Sequence, residues 1–274
     1  LTVTIVDKAG NTATETVTFS INRFGSVYKY GSYLSDLIAN GGRTVKAVDE
    51  DIELLEVNLD KIKSGSVKVT ITRDGKPLED VIYDFVVVEN TVAGIGESGW
   101  YEYRYVISKD NFKEDGVYKI TISSVDEAGN TPENATQNQE IIFTVDNTPP
   151  EITSITGLEE PIIDASEQVV NYTVFDALGL KSIKVYVNGE LLEEITDFED
   201  PNNYSGSFTL YEKADIQNIR IVVEDQAGNI TDTADDGFAS TYSFNSNVTL
   251  STNLFVRLQA CCGVQWLPSQ LRYS

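Results

Sequence analysis

The same five-residue pattern, Asp-x-Ala-Gly-Asn, occurs three times in this chain, and it constrains the fold more than any other feature. The copies begin at Asp7, Asp126 and Asp225, so they lie 119 and 99 residues apart. Repeats of this length are whole domains, because the units of a solenoid are only about 20–50 residues long. The spacing therefore predicts a tandem array of similar domains.

Alternating apolar residues flank each copy of the pattern. The strand before it carries Val3 and Ile5, then Ile120 and Ile122, then Ile219, Ile221 and Val223. The strand after it carries Val17, Phe19 and Ile21, then Ile141, Phe143 and Val145, then Tyr242 and Phe244. The parity relative to the pattern is the same in all three copies, so the same face of each strand is predicted to face a core.

Turn chemistry explains all five positions of the pattern. Glycine adopts positive φ without steric cost, and asparagine tolerates the left-handed region. The aspartate carboxylate accepts hydrogen bonds from amides two residues further on. The pattern therefore predicts the turn between the last two strands of a sandwich, and ligation of Ca²⁺ by these aspartates is the alternative.

Short alternating segments bounded by turn residues predict an all-β chain rather than an α/β chain. Arg73-Asp74-Gly75-Lys76 and Val187-Asn188-Gly189-Glu190 are hairpin signals, and residues 33–42 favour a short helical turn. Strands are predicted near 26–30, 51–58, 66–73, 81–89, 100–108, 116–126 and 139–146, and then near 152–157, 168–176, 180–188, 190–196, 204–211, 216–225 and 239–245.

Domain boundaries follow from the repeat. Residues 1–24 are predicted to be the last hairpin of a domain whose beginning is missing, so the chain is expected to be a fragment of a longer reading frame. Complete domains are predicted at 25–146 and 147–245, with Pro149 and Pro150 stiffening the junction because proline cannot join a strand ladder. Residues 246–274 are predicted to start a further segment.

The composition excludes several classes of function. There are 43 Asp and Glu residues against 20 Lys and Arg, for a net charge of −23, which repels nucleic acids and anionic membranes. The chain contains no His, which removes histidine-based nucleophilic catalysis and most zinc chemistry. Its two cysteines are adjacent, which excludes a disulfide scaffold. The sequence predicts no catalytic, cofactor-binding or metal-binding residue and no enzymatic activity.

Three local features of the sequence are candidate sites. Tyr101, Tyr103, Tyr105 and Ile107 share one strand face, which predicts a core face and leaves Trp100 as a single outward ring for a glycan. The acidic run Asp49-Glu50-Asp51-Glu53 is predicted to be solvated at the entry to a strand. Structural calcium is the one ion considered, at Asp126 and at Asp146-Asn147 beside the junction, because Ca²⁺ prefers carboxylate oxygens.

The chain resembles the bacterial immunoglobulin-like repeat domains of Gram-positive surface proteins. The resemblance is carried by the three turns, by Arg23-Phe24-Gly25-Ser26, and by the junction Val145-Asp146-Asn147-Thr148-Pro149-Pro150. It implies tandem immunoglobulin-like β-sandwiches with Greek-key antiparallel sheets. A tyrosine corner is expected at Tyr118, and Gln217 stands at the matching position of the next repeat.

The resemblance implies a non-catalytic spacer in a bacterial cell-surface protein, which holds a distal head away from the cell. The alternative is an adhesin-type module that binds a host protein or glycan. Both place the chain outside the cell, at the surface or in the wall. The expected partners are neighbouring immunoglobulin-like domains of the same chain, with no nucleic acid and no membrane contact. An isopeptide bond between Lys and Asn is left open by the sequence.

The last residues differ from the rest of the chain. No Asp or Glu occurs from Gly237 to Ser274, although residues 246–257 still read as an opening strand. Cys261, Cys262 and Trp266 fit neither a strand period nor the repeat, which suggests a frame error or cloning scar near Leu258. A genuine but truncated segment is the alternative.

Overall fold

The computed structural model describes residues 1–18, 21–88, 95–96, 99–131, 140–158, 166–213, 215–235 and 241–244. The hypotheses about residues 246–274 lie outside these residues. The chain divides into two compact units, of which the first contains residues 1–148 and the second begins at Pro149. Each unit has its own buried apolar cluster.

Nineteen strands and one short α-helix form the described part of the chain. The first unit contains β1 (Thr2–Val6), β2 (Thr12–Thr16), β3 (Val27–Tyr30), α1 (Ser32–Leu37), β4 (Thr44–Val45), β5 (Ile52–Asn58), β6 (Lys68–Arg73), β7 (Lys76–Pro77), β8 (Tyr83–Val87), β9 (Tyr101–Ile107), β10 (Gly116–Ser123) and β11 (Ile141–Val145). The second contains β12 (Glu151–Thr156), β13 (Glu167–Phe175), β14 (Leu180–Val187), β15 (Glu190–Ile195), β16 (Asn203–Tyr211), β17 (Gln217–Asp225), β18 (Ile230–Asp232) and β19 (Thr241–Tyr242).

Two sheets form the sandwich of the first unit. One has the strand order β3-β5-β9-β8, and the other has the order β4-β11-β10-β6-β7. All pairs are antiparallel except β4 with β11, which is parallel. The chain crosses between the two sheets five times, at β3–β4, β4–β5, β5–β6, β7–β8 and β9–β10.

The second unit has a three-stranded sheet and a five-stranded sheet. Their strand orders are β12-β13-β16 and β15-β14-β17-β18, and β19 also pairs with β17. The fold class predicted from the repeat, tandem immunoglobulin-like β-sandwiches, is therefore confirmed.

Strand alternation places the cores. On β9, Tyr103, Tyr105 and Ile107 are buried while Arg104 is exposed. On β17, Ile219, Ile221 and Val223 are at most 3% exposed. The strands begin and end within a few residues of the predicted bounds, because the period-two pattern fixes which residues must be buried together.

Both predicted hairpin turns have the required backbone. Asp74 and Gly75 have φ of 51° and 75°, and Asn188 and Gly189 have φ of 55° and 82°. Two successive positive φ values define the type I′ turn that matches the twist of a hairpin. Helix α1 and the 3-10 turn at 39–41 lie where a helical turn was predicted. Among the described residues, no helix is long and apolar enough to span a bilayer.

One expectation about burial is wrong. Val3 and Ile5 on β1 are 49% and 66% exposed, and Val17 and Ile21 are exposed as well. The hairpin of β1 and β2 is a two-stranded sheet. In the described residues no second sheet covers its apolar face. Val3 and Ile5 therefore stay exposed, although they stand at the same strand parity as the buried Ile120 and Ile219.

Candidate functional site

The three Asp-x-Ala-Gly-Asn turns share one hydrogen-bond arrangement. In each copy one carboxylate oxygen of the aspartate accepts from the backbone N–H of the asparagine, at 2.7–2.9 Å. The other oxygen accepts from the asparagine side-chain amide at 2.7–2.8 Å. The glycines have φ of 89°, 92° and 89°. In the first copy the Ala9 N–H, two residues on, donates to Asp7 at 2.8 Å as predicted. The first two turns precede the last strand of their hairpin or unit as predicted, whereas the third joins β17 to β18 and is followed by β19.

The surroundings of the three aspartates differ. Asp7 is exposed, whereas Asp126 and Asp225 are fully buried. Hydrogen bonds from the Asn11 side chain and backbone lower the pKa of Asp7 below its usual value. In the buried copies the carboxylate satisfies amides that have little access to water, so losing it leaves buried donors unpaired.

Replacing Asp225 with Ala is expected to destabilise the second unit by about 2 kcal/mol, because it leaves the backbone and side-chain amides of buried Asn229 without their carboxylate acceptor. Replacing Asp7 with Ala is the matched control, since water satisfies the same groups in the exposed copy. Urea unfolding of both variants gives the two values. Equal losses in the two variants would contradict this account.

Asp126 lies in a polar network of the first unit. The side-chain amide of Asn22 donates to Asp60 at 2.9 Å and to Asp126 Oδ2 at 3.3 Å, and the Asn130 side-chain amide donates to the same Oδ2 at 2.8 Å. Amide hydrogens therefore occupy positions around this carboxylate that a cation would need.

The two places considered for calcium do not form one site. Gly116 pairs with Val145 at the start of β10, whereas Asp126 follows the end of β10. Asp146 therefore lies at the opposite end of the β10–β11 hairpin from Asp126. Asp146 is buried and accepts from the Thr148 N–H at 3.2 Å, while the Asn147 N–H donates to Asp115 at 2.8 Å.

The second unit holds a pair of buried carboxylates that the sequence did not single out together. Asp176 and Asp225 are 4% and 0% exposed, and a carboxylate oxygen of one lies within 4.8 Å of a carboxylate oxygen of the other. Asp176 accepts from the N–H groups of Leu178 and Gly179 at 2.8 and 2.6 Å. Two carboxylates are fewer than the six to eight oxygens that Ca²⁺ takes, so structural calcium stays a hypothesis.

The first unit buries a carboxylate among hydroxyl groups. Glu56 on β5 is 0% exposed, and it accepts hydrogen bonds from the hydroxyls of Ser26, Ser124 and Tyr105. The Asn58 amide donates to Ser26 Oγ at 2.9 Å, which orients that hydroxyl. Burial first, and the Glu56 carboxylate second, raise the pKa of Tyr105.

Sequence reasoning missed this network, although the pattern contains a signal. Ile52, Leu54, Glu56 and Asn58 share the inward face of β5, so Glu56 stands at a position where the alternation demands an apolar residue. Ser124 stands two residues before its turn, where the other repeats have Ile5 and Val223. Two polar exceptions at core positions predict mutual hydrogen bonding, because an unpaired buried polar group is costly.

A tyrosine corner is present in the first unit. The Tyr118 hydroxyl donates to the Glu114 carbonyl at 2.7 Å. The second unit forms the same link with an amide, since Gln217 Nε2 donates to the Tyr211 carbonyl at 3.0 Å. The two side chains tie the start of β10 and the start of β17 to the backbone that precedes each strand.

The aromatic and acidic candidates behave as structural residues. Trp100 is half-buried, whereas Tyr103 and Tyr105 lie in the core as predicted. Asp49, Glu50, Asp51 and Glu53 are exposed at the entry to β5. The Asp51 carboxylate accepts from the Lys109 N–H at 2.9 Å, which fixes the turn beside that strand.

A cleft of about 410 Å³ opens between β3 and the β10–β11 hairpin. Its walls are Tyr28, Tyr30 and three isoleucines, together with the ion pair of Lys119 and Glu140. The volume lies at the low end of the range for small-molecule sites. Because Lys119 and Glu140 form an ion pair, the rim of the cleft carries one charge of each sign, and neither side chain is an activated acid or base.

No protein-family model and no curated protein matches the chain. Similar solved structures include the fibronectin(III)-like modules of Clostridium thermocellum CbhA, at 14% identity over 80% of this chain and 95% of that one, with a TM-score of 0.29. Domains A168–A170 of titin share 10% identity over 90% and 74%, with a TM-score of 0.37. A Ca²⁺-stabilised, ice-binding adhesin of an Antarctic bacterium shares 15% identity over 90% and 56%, with a TM-score of 0.31. The likeness concerns the fold alone.

Proposed function

We propose that this chain is a non-catalytic spacer region of a bacterial cell-surface protein, which holds a distal head away from the cell. The observation that carries the proposal is the repetition of one unit plan. Two sandwiches with separate cores each carry the same aspartate-clamped turn, after β10 in one and after β17 in the other, and a third copy of that turn precedes them. Duplicating whole folding units lengthens a chain without requiring a new site.

The charge distribution also supports a spacer. The net charge of −23 keeps densely arrayed copies soluble, because like-charged surfaces repel. Most of the longer strands at the sheet edges carry a charged residue, such as Lys29 on β3, Asp84 on β8 and three glutamates on β15. Charged edges resist strand addition by neighbouring molecules.

Stretching single molecules tests the mechanical part of the proposal. The first sandwich runs from Val27 to Val145 and the second from Glu151 to Tyr242. At about 3.6 Å per extended residue, their unfolding should release somewhat less than about 430 Å and about 330 Å of chain. We expect two separate unfolding steps of these lengths, measured by force spectroscopy on the whole chain.

A single step, or extension without resistance, would contradict the spacer. The adhesin-type alternative is tested on arrays of host proteins and glycans. Saturable binding that is lost in a Trp100→Ala variant, with unchanged unfolding steps, would favour the binding module. If binding survives this substitution, the ligand contacts residues other than Trp100. That result would also favour a binding module over a pure spacer.

A further inference from the structure

Strand β16 is an edge strand without a charged residue. It runs nine residues, Asn203–Tyr211, and pairs with β13 along its whole length. Among the strands that the structure describes, its one neighbour is β13. An uncharged edge of this length is a ready template for another strand, because it presents backbone donors and acceptors that need partners.

The other sandwich edges are protected. In the two sandwiches, as far as the structure describes them, every other edge strand of four residues or more is shorter than β16 and carries at least one charge: Lys29 on β3, Asp84 on β8, Glu151 on β12, and Glu190, Glu193 and Glu194 on β15. Strand β1 of the separate two-stranded hairpin is also uncharged, but it has only five residues. The remaining edges, β4, β7 and β18, have only two or three residues. The neutrality of β16 therefore distinguishes it from the other sandwich edges of four residues or more that the structure describes.

The backbone on either side of β16 shows which groups face outward. The Glu212 N–H donates to the Ser166 carbonyl, and the Asn202 carbonyl accepts from the Asp176 N–H, so even-numbered residues point towards β13. Along a strand, successive residues point their N–H and C=O groups to opposite sides. The outward set is therefore Asn203, Ser205, Ser207, Thr209 and Tyr211, and the Tyr211 carbonyl already accepts from the Gln217 side chain.

We propose that β16 pairs with β16 of a second copy of this chain, antiparallel and centred on Ser207. This register joins Ser207 to Ser207, Ser205 to Thr209 and Asn203 to Tyr211. All of these residues belong to the outward-facing set, so the pairs are those that exchange backbone hydrogen bonds. Side chains that face each other are then hydroxyls and amides, and cross-strand pairs of this kind are favourable.

The partner strand is β16 of a second copy, because two antiparallel β16 strands centred on Ser207 match each other's backbone donors and acceptors. The outer face around Ser207 is uncharged as well, since its neighbours across β13 are Val169, Asn171 and Thr173. Elsewhere, two copies that each carry −23 repel one another. Repulsion between exposed charges is screened by salt, so this association tightens as ionic strength rises. It goes beyond the spacer role, which stands whether or not copies pair.

Sedimentation equilibrium of the whole chain tests the pairing. We expect the mass to rise towards that of a dimer with concentration, and the dissociation constant to fall when NaCl is raised. Ser207→Lys should weaken association at least tenfold, because two lysines would face each other across the twofold axis. The Ser207→Lys substitution also lowers the net negative charge, which by itself would favour association. A weaker association of this variant is therefore caused by the change at the β16 edge.

Asn171→Lys is the matched control. Asn171 pairs with Ser207 inside the sheet, so it adds the same charge to the same face one strand away from the edge. This variant should associate like the unmodified chain, and equal melting temperatures of both variants show that each is folded. Hydrogen exchange of residues 203–211 should slow with concentration. A chain that stays monomeric at millimolar concentration, or equal association of the two variants, overturns the proposal.

Discussion

Replacing Glu56 with Ala is expected to lower the free energy of unfolding of the first unit by about 3 kcal/mol. The carboxylate is fully buried and accepts from the hydroxyls of Ser26, Ser124 and Tyr105. Its removal leaves three buried donors without an acceptor, and each unsatisfied group costs about 1–3 kcal/mol, less whatever rearrangement recovers. The cavity left by the side chain adds to the loss.

Two variants isolate the acceptor role of Glu56. Glu56→Gln keeps the shape of the side chain and one carbonyl oxygen, and the hydroxyls can rotate to accept from its amide, so we expect less than half of the loss. Glu53→Ala removes a carboxylate from the same strand at an exposed position, where the change should stay within about 0.5 kcal/mol.

Tryptophan fluorescence during urea unfolding measures these changes. The chain has two tryptophans, Trp100 and Trp266, so a Trp266→Phe background leaves Trp100 as the reporter of the first unit. The order of stability expected is Glu53→Ala above Glu56→Gln above Glu56→Ala. An Ala variant as stable as the Gln variant would show that the hydroxyls do not depend on the carboxylate.

The fold followed from the sequence because strand alternation is a local signal. Residues such as Tyr103, Tyr105 and Ile107 must lie on one face whatever the rest of the chain does, and the turns at Asp74 and Asn188 require positive φ. The three aspartate-clamped turns could be predicted for the same reason, since the hydrogen bonds between the aspartate and the asparagine of each turn span only four residues.

Contacts between strands that are distant in the chain could not be predicted from the sequence. Glu56 meets Ser26 and Ser124 across separations of 30 and 68 residues, and Asp176 meets Asp225 across two sheets. Alternation along a strand predicts which face of the sheet a residue occupies. It does not predict which residues of other strands that residue contacts in the core. The position of β16 at a sheet edge could not be predicted either, because only the strand order shows that β16 has one neighbour among the described strands.

Both units are expected to lose stability above about pH 10 because each buries a tyrosine hydroxyl. Tyr105 in the first unit and Tyr172 in the second are 0% and 1% exposed. Burial is the largest cause that raises the pKa of each phenol, followed by the Glu56 carboxylate for Tyr105 and by Tyr204 for Tyr172. Both pKa values rise well above the ordinary value of 10.

The sign follows from proton binding. Below pH 10 both the folded and the unfolded chain keep the phenol proton, so the contribution to stability is constant. Above pH 10 the unfolded chain releases the proton while the folded chain retains it, so stability falls as pH rises. The loss should be about 1 kcal/mol per pH unit for each buried tyrosine, continuing until the folded phenol itself ionises.

Unfolding by urea between pH 7 and pH 12 is followed by hydrogen exchange of peptides from each unit. It gives, for each unit separately, the slope of the free energy of unfolding against pH. Tyr172→Phe should flatten the slope of the second unit alone, since it removes the group whose proton is retained. Tyr211→Phe removes a tyrosine that is 62% exposed and should leave that slope unchanged. Because no ordinary carboxylate titrates above pH 10, a slope that persists in Tyr172→Phe would mean that other groups, such as lysines, govern the alkaline loss in this unit.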